Sequence, residues 1–72
     1  MASGGANRYE IRVRGHLGET MRAAFPELRA SLDGADTVLT GLLSDQAAVF
    51  GVLAAIESLG LELLAVRRVA PG

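Results

Sequence analysis

The residues best suited to chemistry in this 72-residue chain are three arginines and its single histidine. Arg12 and Arg14 alternate along one predicted strand and therefore project from the same face. Arg68 lies on the last predicted strand, where we expect it to share that face, and His16 follows the first strand at the edge of the sheet. Guanidinium groups bind carboxylates and phosphates through paired hydrogen bonds. The grouping predicts a site for a small anionic ligand.

The same residues also have ordinary structural interpretations, which we favour. The three arginines can equally pair with Glu10 and Glu62 across the sheet, which gives a salt-bridged face instead of a ligand site. His16 has no second histidine or cysteine with which to bind a metal, and we interpret it as a loop histidine with local hydrogen bonds. We therefore expect no catalytic residue, no metal site and no cofactor.

A second pattern at this position is G-x-x-G, formed by Gly15 and Gly18 between a predicted strand and a predicted helix. Some phosphate-binding turns have this arrangement. The pattern lacks the lysine and Ser/Thr of a P-loop and the third glycine of a dinucleotide fingerprint. We favour a tight turn in which glycine is needed for backbone geometry.

Charge and composition argue against several classes of function. The formal net charge is −1 and every basic residue is arginine, whereas nucleic-acid binding needs a cationic surface. No apolar run approaches the ~20 residues needed to span a bilayer, and the first residues lack an apolar signal segment. Cysteine is absent, so disulfides and cysteine-based metal sites are excluded. We expect a cytoplasmic protein that binds neither nucleic acid nor membrane.

A helix predicted over residues 44–60 organises the rest of the chain. Ser44 or Asp45 can accept a hydrogen bond from the first free backbone amides, and Gly60 can take the left-handed conformation that ends a helix. Gly51, inside the helix, predicts a close approach to another element. Apolar side chains recur at steps of three and four and form one stripe. They are Ala48, Val49, Val52, Leu53, Ile56 and Leu59.

The remaining segments predict strands and one short helix. Pro26 ends the short helix, Gly34 provides a hairpin turn, and Gly41 indicates a bulge or a close backbone approach. The predicted elements are a strand over residues 8–14, a helix over 16–26, a hairpin over 27–43 and a strand over 61–69.

This order of elements predicts an α+β fold, the ferredoxin-like βαββαβ plait. Right-handed crossovers give a four-stranded antiparallel sheet of order 4-1-3-2 with both helices on one face. Residues 1–7 are predicted as a flexible N-terminal tail and residues 8–70 as a single domain. A domain of this size is marginal by itself, so a partner subunit would add stabilisation.

The last predicted strand has more apolar side chains than one layer of helices can cover. We expect Leu64 and Val66 on the open side of the sheet, with Leu39 or Leu42 adding to that surface according to the register. An apolar patch on an open sheet is typical of an association surface. It predicts a homodimer formed through the sheet face or through the edge of the last strand.

Several segments resemble a group of very small, uncharacterised proteins common in high-GC Gram-positive bacteria. They are Tyr9–Gly15, Thr37–Gly41, Asp45–Ala48, Gly51–Leu53 and Leu59–Leu64. The resemblance covers about residues 9–69 and implies no activity. At the level of fold the chain is also similar to ACT-type regulatory domains, which bind small molecules at subunit interfaces, and to dimeric α/β-barrel proteins, which include small oxygenases and cyclases. Fold alone does not establish function.

Together these observations predict a non-enzymatic, self-associating binding or assembly module of unidentified partner. The alternative is an ACT-type regulatory domain that binds a small molecule, or a small enzyme of the dimeric α/β-barrel type. Its site would lie at the sheet face and be lined by Arg12, Arg14, His16 and Arg68. An RNA-binding plait would need exposed aromatic residues on its central strands. Tyr9, the only strand aromatic, falls on the predicted buried face.

Overall fold

Four strands and two helices follow one another along residues 7–69, the part of the chain that the computed structural model describes. They are β1 (Asn7–Arg14), α1 (Glu19–Ala23), β2 (Arg29–Asp33), β3 (Asp36–Leu43), α2 (Gln46–Ser58) and β4 (Leu63–Val69). Neighbouring strands are antiparallel, in the order β2-β3-β1-β4. The predicted α+β class and antiparallel sheet are confirmed, and 4-1-3-2 is the same order counted from the other edge. Residues 1–6 of the predicted tail lie outside the described part, and its last residue, Asn7, begins β1. Residue 70, the last residue of the predicted domain, also lies outside the described part.

The two central strands supply the part of the sheet that faces the core. Alternation along β1 places Ile11 and Val13 on one face, and both are fully buried. Ile11 pairs with Leu39 of β3, so Leu39 shares that face. The opposite face, called here the open face, carries the polar residues of β1, which are Arg8, Glu10, Arg12 and Arg14.

Helix α2 begins and ends where its local signals place it. The side chain of Asp45 accepts a hydrogen bond from the backbone N–H of Ala48 at 2.8 Å, so Asp45 rather than Ser44 is the N-cap. Gly60 has φ 77°, and Leu61 donates its backbone N–H to the carbonyl oxygen of Ile56. A left-handed glycine with this hydrogen bond is a Schellman ending.

One apolar cluster joins both helical segments to the sheet. Phe25, just after α1, is buried, and α2 contributes Val49, Val52 and Ile56 from its predicted stripe. The helices themselves are short, and none within residues 7–69 has the length and apolarity to cross a membrane. The buried members of the cluster are Ile11, Val13, Leu17, Phe25, Leu39, Leu43, Val49, Val52 and Ile56.

The two interior glycines have different surroundings. A Cβ at Gly41 would lie 2.5 Å from the backbone oxygen of Glu27 and 2.9 Å from Leu28, so the predicted close backbone approach is confirmed. A Cβ at Gly51 would meet no atom within 4 Å. The close approach predicted for Gly51 is therefore wrong, because this glycine borders a groove of about 280 Å³ between α2 and the segment around Phe25.

An irregularity in β4 changes which of its residues face the core. Arg12 pairs with Ala65, but Val13 pairs with Leu63. Leu64 therefore has no pairing partner on β1 and forms a bulge in β4. Such a bulge reverses the alternation on either side of it. Val66 consequently lies opposite Ile11 and shares the core-facing side of the sheet.

Candidate functional site

Arg12 lies at the centre of the open face, and its guanidinium is held by two carboxylates of the same chain. Nη2 contacts Asp33 at 2.5 Å and Nη1 contacts Asp36 at 3.3 Å. These carboxylates flank the β2–β3 turn, whose Gly34 has the expected positive φ of 62°. The hydrogen bond to Asp33, followed by that to Asp36, raises the pKa of Arg12 above its ordinary value. Arg12 is therefore a stable cation, and each of its two terminal nitrogens already donates one hydrogen bond within the chain.

Two further ion pairs lie on or beside this face. Arg14 Nε is 2.9 Å from Glu62 Oε1, and Arg67 Nη2 is 2.8 Å from Glu10 Oε1. Arg14 thus pairs with Glu62 as the favoured interpretation predicts, whereas Arg12 pairs with neither of the two glutamates named there. The arginine of β4 that pairs with Glu10 is Arg67, not Arg68. Exposed pairs of this kind stabilise a fold weakly, by about 0–1 kcal/mol each.

His16 connects the loop after β1 to the β2–β3 turn. Its Nε2 lies 2.8 Å from the carbonyl oxygen of Gly34. A carbonyl only accepts hydrogen bonds, so Nε2 carries the proton in this arrangement. The contact is the kind of local hydrogen bond that the structural interpretation of His16 expects.

The G-x-x-G loop is held to the same turn through its backbone. Gly15 donates its N–H to Ala35 at 3.0 Å. The buried hydroxyl of Thr37 donates to the Gly15 carbonyl at 2.7 Å and accepts the Leu17 N–H at 3.3 Å. The backbone N–H groups of Gly15 and Leu17, which a phosphate in this loop would need, therefore already donate hydrogen bonds within the chain.

Arg68 does not join the other predicted ligand residues. The register pairs Arg68 with Tyr9, which lies on the core-facing side of β1, so Arg68 is on the opposite face from Arg12. The expectation that these two arginines share a face is corrected, because the bulge at Leu64 shifts the alternation by one residue. The structure brings Arg12 and His16 to the same β2–β3 turn, while Arg14 pairs with Glu62.

The residues predicted to form the association surface do not lie together on one face. Leu39 is 1% exposed and belongs to the core, so its assignment to an apolar surface is corrected. Leu42, the other residue considered, pairs with Arg8 and is exposed on the open face. Leu64 and Val66 remain 36% and 39% exposed, at the bulge and on the core-facing side of the edge strand.

A groove that the sequence did not indicate lies at the other edge of the sheet. It has a volume of about 750 Å³ and is open to solvent. Strand β3 continues past its last β2 partner, since Arg29 pairs with Thr40 and β2 begins there. Arg8 and Arg29 line the groove, together with Glu27, Leu28, Thr40 and Leu42. The alternation of β1 could have placed Arg8 on the open face, but no signal in the sequence indicates that β2 is shorter than β3.

Comparison with protein-family models gives a match over most of the chain. The family model for a domain of unknown function (DUF8691) matches residues 8–67. The chain belongs to the DUF8691 family. The match covers β1 through most of β4, so the arginines of the open face and the groove all lie within the DUF8691 region. No curated protein and no solved structure matches the chain.

The DUF8691 region offers no ready metal centre in its described part. Among residues 7–69, no group of three or more His, Asp or Glu side chains is placed to hold a metal ion. The described residues offer arginine cations, a loop histidine and a groove, and guanidinium groups of this kind can bind carboxylates and phosphates.

Proposed function

We propose that this chain is a small, non-enzymatic binding or assembly module with a ferredoxin-like plait, and that it self-associates through the edge of β4. The observation that supports this most is the exposure of β4. The strand lies at one end of the sheet order, and five of its seven residues are exposed. A long, exposed edge strand is a template for pairing with another chain.

The ferredoxin-like part of the proposal is supported by the element order and the strand order. A split β-α-β arrangement gives this order when both crossovers are right-handed. The core adds support, because Phe25 after α1 and Ile56 of α2 belong to one cluster with Ile11 of β1. Two helices packed side by side on one face of a sheet would produce such a shared cluster.

The side chains of β4 favour specific rather than general pairing. Leu64 and Val66 provide exposed apolar area beside the free backbone edge. Arg67 and Arg68 are the charged residues that natural edge strands use against unwanted pairing. A partner strand must therefore avoid placing cations opposite these arginines.

A second copy of β4 meets this requirement in the register that pairs the whole strand, Leu63–Val69. In a two-fold antiparallel pairing centred on Val66, Arg67 lies opposite the partner's Ala65 and Arg68 lies opposite the partner's Leu64. A pairing centred on Arg67 would instead place two arginines directly opposite, which is destabilising. We infer that the two Val66 side chains meet near the two-fold axis and that the sheet continues across the dimer.

The alternative of an ACT-type sensor or a small enzyme with a site at the sheet face has less support. Such a site needs Arg12 and Arg14 to bind a ligand, whereas both already form ion pairs within the chain. A ligand would have to displace Asp33 and Asp36 from Arg12. Because Arg68 lies on the other face, it could not contribute to the same site.

Sedimentation or native mass spectrometry of the full chain at micromolar concentrations tests the proposal. We expect a dimer that Val66→Asp converts to monomer, because this change places two carboxylates directly opposite each other at the two-fold axis. Leu42→Asp is the matched control: it makes the same change at an exposed leucine of the open face and should leave the dimer intact. Circular dichroism should show native helix content in every variant.

Two outcomes would overturn the proposal. One is a monomer at every concentration. The other is loss of the dimer in Leu42→Asp with retention in Val66→Asp, which would move the interface from the β4 edge to the open face.

A further inference from the structure

Two arginines on the open face have no ion-pair partner within residues 7–69, and both line the same groove. Arg12, Arg14 and Arg67 are each held by a carboxylate of the chain. Arg8 and Arg29 are exposed, form no such pair in the described part, and border the groove at the end of β3. Unneutralised guanidinium groups on two sides of one groove indicate a place for an anion.

The sheet register allows these two arginines to act on one ligand. Arg8 of β1 pairs with Leu42, and Arg29 of β2 pairs with Thr40, so the two side chains flank β3 on the same face. Strands in a sheet are about 4.8 Å apart, which separates β1 from β2 laterally by roughly 10 Å. Two arginine side chains can span such a distance from both sides of a small ligand.

The backbone of β3 adds further hydrogen-bonding groups. Gly41–Leu43 extends beyond the start of β2 and has no partner on that strand. Backbone N–H groups along a strand point alternately to its two sides. Part of this segment therefore presents its N–H toward the groove, which Thr40 lines as well.

The missing side chain at Gly41 allows the segment before β2 to pack close to β3 and form another wall of the groove. The segment before β2 packs directly on this glycine, since a Cβ there would lie 2.5 Å from the Glu27 backbone oxygen. The packing positions Leu28 and Glu27 along the groove. Leu28 and Leu42 supply apolar surface, while the Glu27 carboxylate opposes a negative charge close to it.

We propose that this groove binds a small ligand with a carboxylate or phosphate group, held between Arg8 and Arg29, with its apolar part against Leu28 and Leu42. The volume of about 750 Å³ lies within the range of about 300–1,000 Å³ typical of small-molecule sites. No residue of β4 lines the groove. The ligand site is therefore separate from the edge through which we propose self-association, and either proposal can fail without the other.

Titration of the ¹⁵N-labelled full chain, followed by amide chemical shifts, tests the site. The probes are pyrophosphate and citrate at constant ionic strength, which distinguish a phosphate from a carboxylate preference. We expect saturable shifts concentrated at Thr40–Leu42 and at Arg29. Arg8→Gln and Arg29→Gln should each weaken binding by about tenfold or more, because each removes a charge-assisted hydrogen bond.

Two further variants serve as controls: one should leave the affinity for the probes unchanged, and the other should raise it. Arg14→Gln removes the same charge from the same strand and face, and should leave the affinity within about twofold because Arg14 is distant in register and already paired. Glu27→Gln removes the opposing carboxylate and should strengthen binding of both probes. Equal weakening by Arg14→Gln and Arg8→Gln would show general ionic attraction and overturn the proposal. Shifts that do not saturate, or that spread over every arginine, would overturn it as well.

Discussion

The guanidinium of Arg12 reaches the carboxylate of Asp33 across the full width of β3. Arg12 is on β1 and pairs with Val38, whereas Asp33 is on β2, so the arginine side chain must cross β3 to make this contact. Val38 is only 7% exposed although it lies on the open face and outside the core cluster. We infer that the aliphatic part of Arg12 covers Val38 as it crosses β3.

This relationship predicts that the length of residue 12 matters as well as its charge. Arg12→Met keeps most of the apolar cover and removes the ion pairs, while Arg12→Ala removes both. We expect Arg12→Ala to lower the urea midpoint more than Arg12→Met. Equal midpoints for the two variants would show that the ion pairs, not the cover, carry the stabilising effect.

The surroundings of Gly41 and Gly51 predict opposite effects for the same substitution. Gly41→Ala forces a Cβ against the Glu27 backbone, which cannot move as a flexible side chain would. Overpacking of this kind destabilises by about 1–3 kcal/mol. Gly51→Ala adds a methyl group to a helix with open space around it and should stabilise by about 0.5–1 kcal/mol. Urea denaturation of both variants measures the difference, and destabilisation by Gly51→Ala would contradict the helix geometry.

Burial along α2 predicts which of its large side chains stabilise the domain. Ile56 is fully buried, so Ile56→Ala should cost about 2–5 kcal/mol. Since such a loss approaches the whole stability of a small domain, Ile56→Val provides a graded variant with a cost of about 0.5–1.5 kcal/mol. Phe50 is 63% exposed on the same helix, and Phe50→Ala should change stability by no more than about 0.5 kcal/mol. A larger loss at Phe50 than at Ile56 would mean that the helix presents another face.

Features that depend on local signals were predictable from the sequence. The capping oxygen of Asp45 and the left-handed Gly60 lie at the two ends of α2, and each acts within a few residues of itself. The alternation of β1 is equally local. The strand order followed from these elements because the handedness of crossovers leaves few topologies.

Features that depend on pairing between distant segments were not predictable. The bulge at Leu64 exists only in the register of β4 against β1, and it reverses the faces expected for Val66 and Arg68. Asp33 reaches Arg12 only because the sheet order places β2 two strands away from β1. The groove depends on where β2 begins, and hydrophobic alternation does not define that boundary.

The buried hydroxyl of Thr37 predicts a hydrogen-bond defect when it is removed. It donates to the Gly15 carbonyl at 2.7 Å and accepts the Leu17 N–H at 3.3 Å, so it joins the loop containing His16 to β3. Thr37→Val keeps the shape but leaves both backbone groups without this partner, which should cost about 1–3 kcal/mol. Thr40→Val is the control, because its hydroxyl makes one exposed contact of 3.4 Å and its loss should change stability little. Urea denaturation measures both changes, and an equal effect of the two substitutions would show that the Thr37 hydroxyl does not hold the loop.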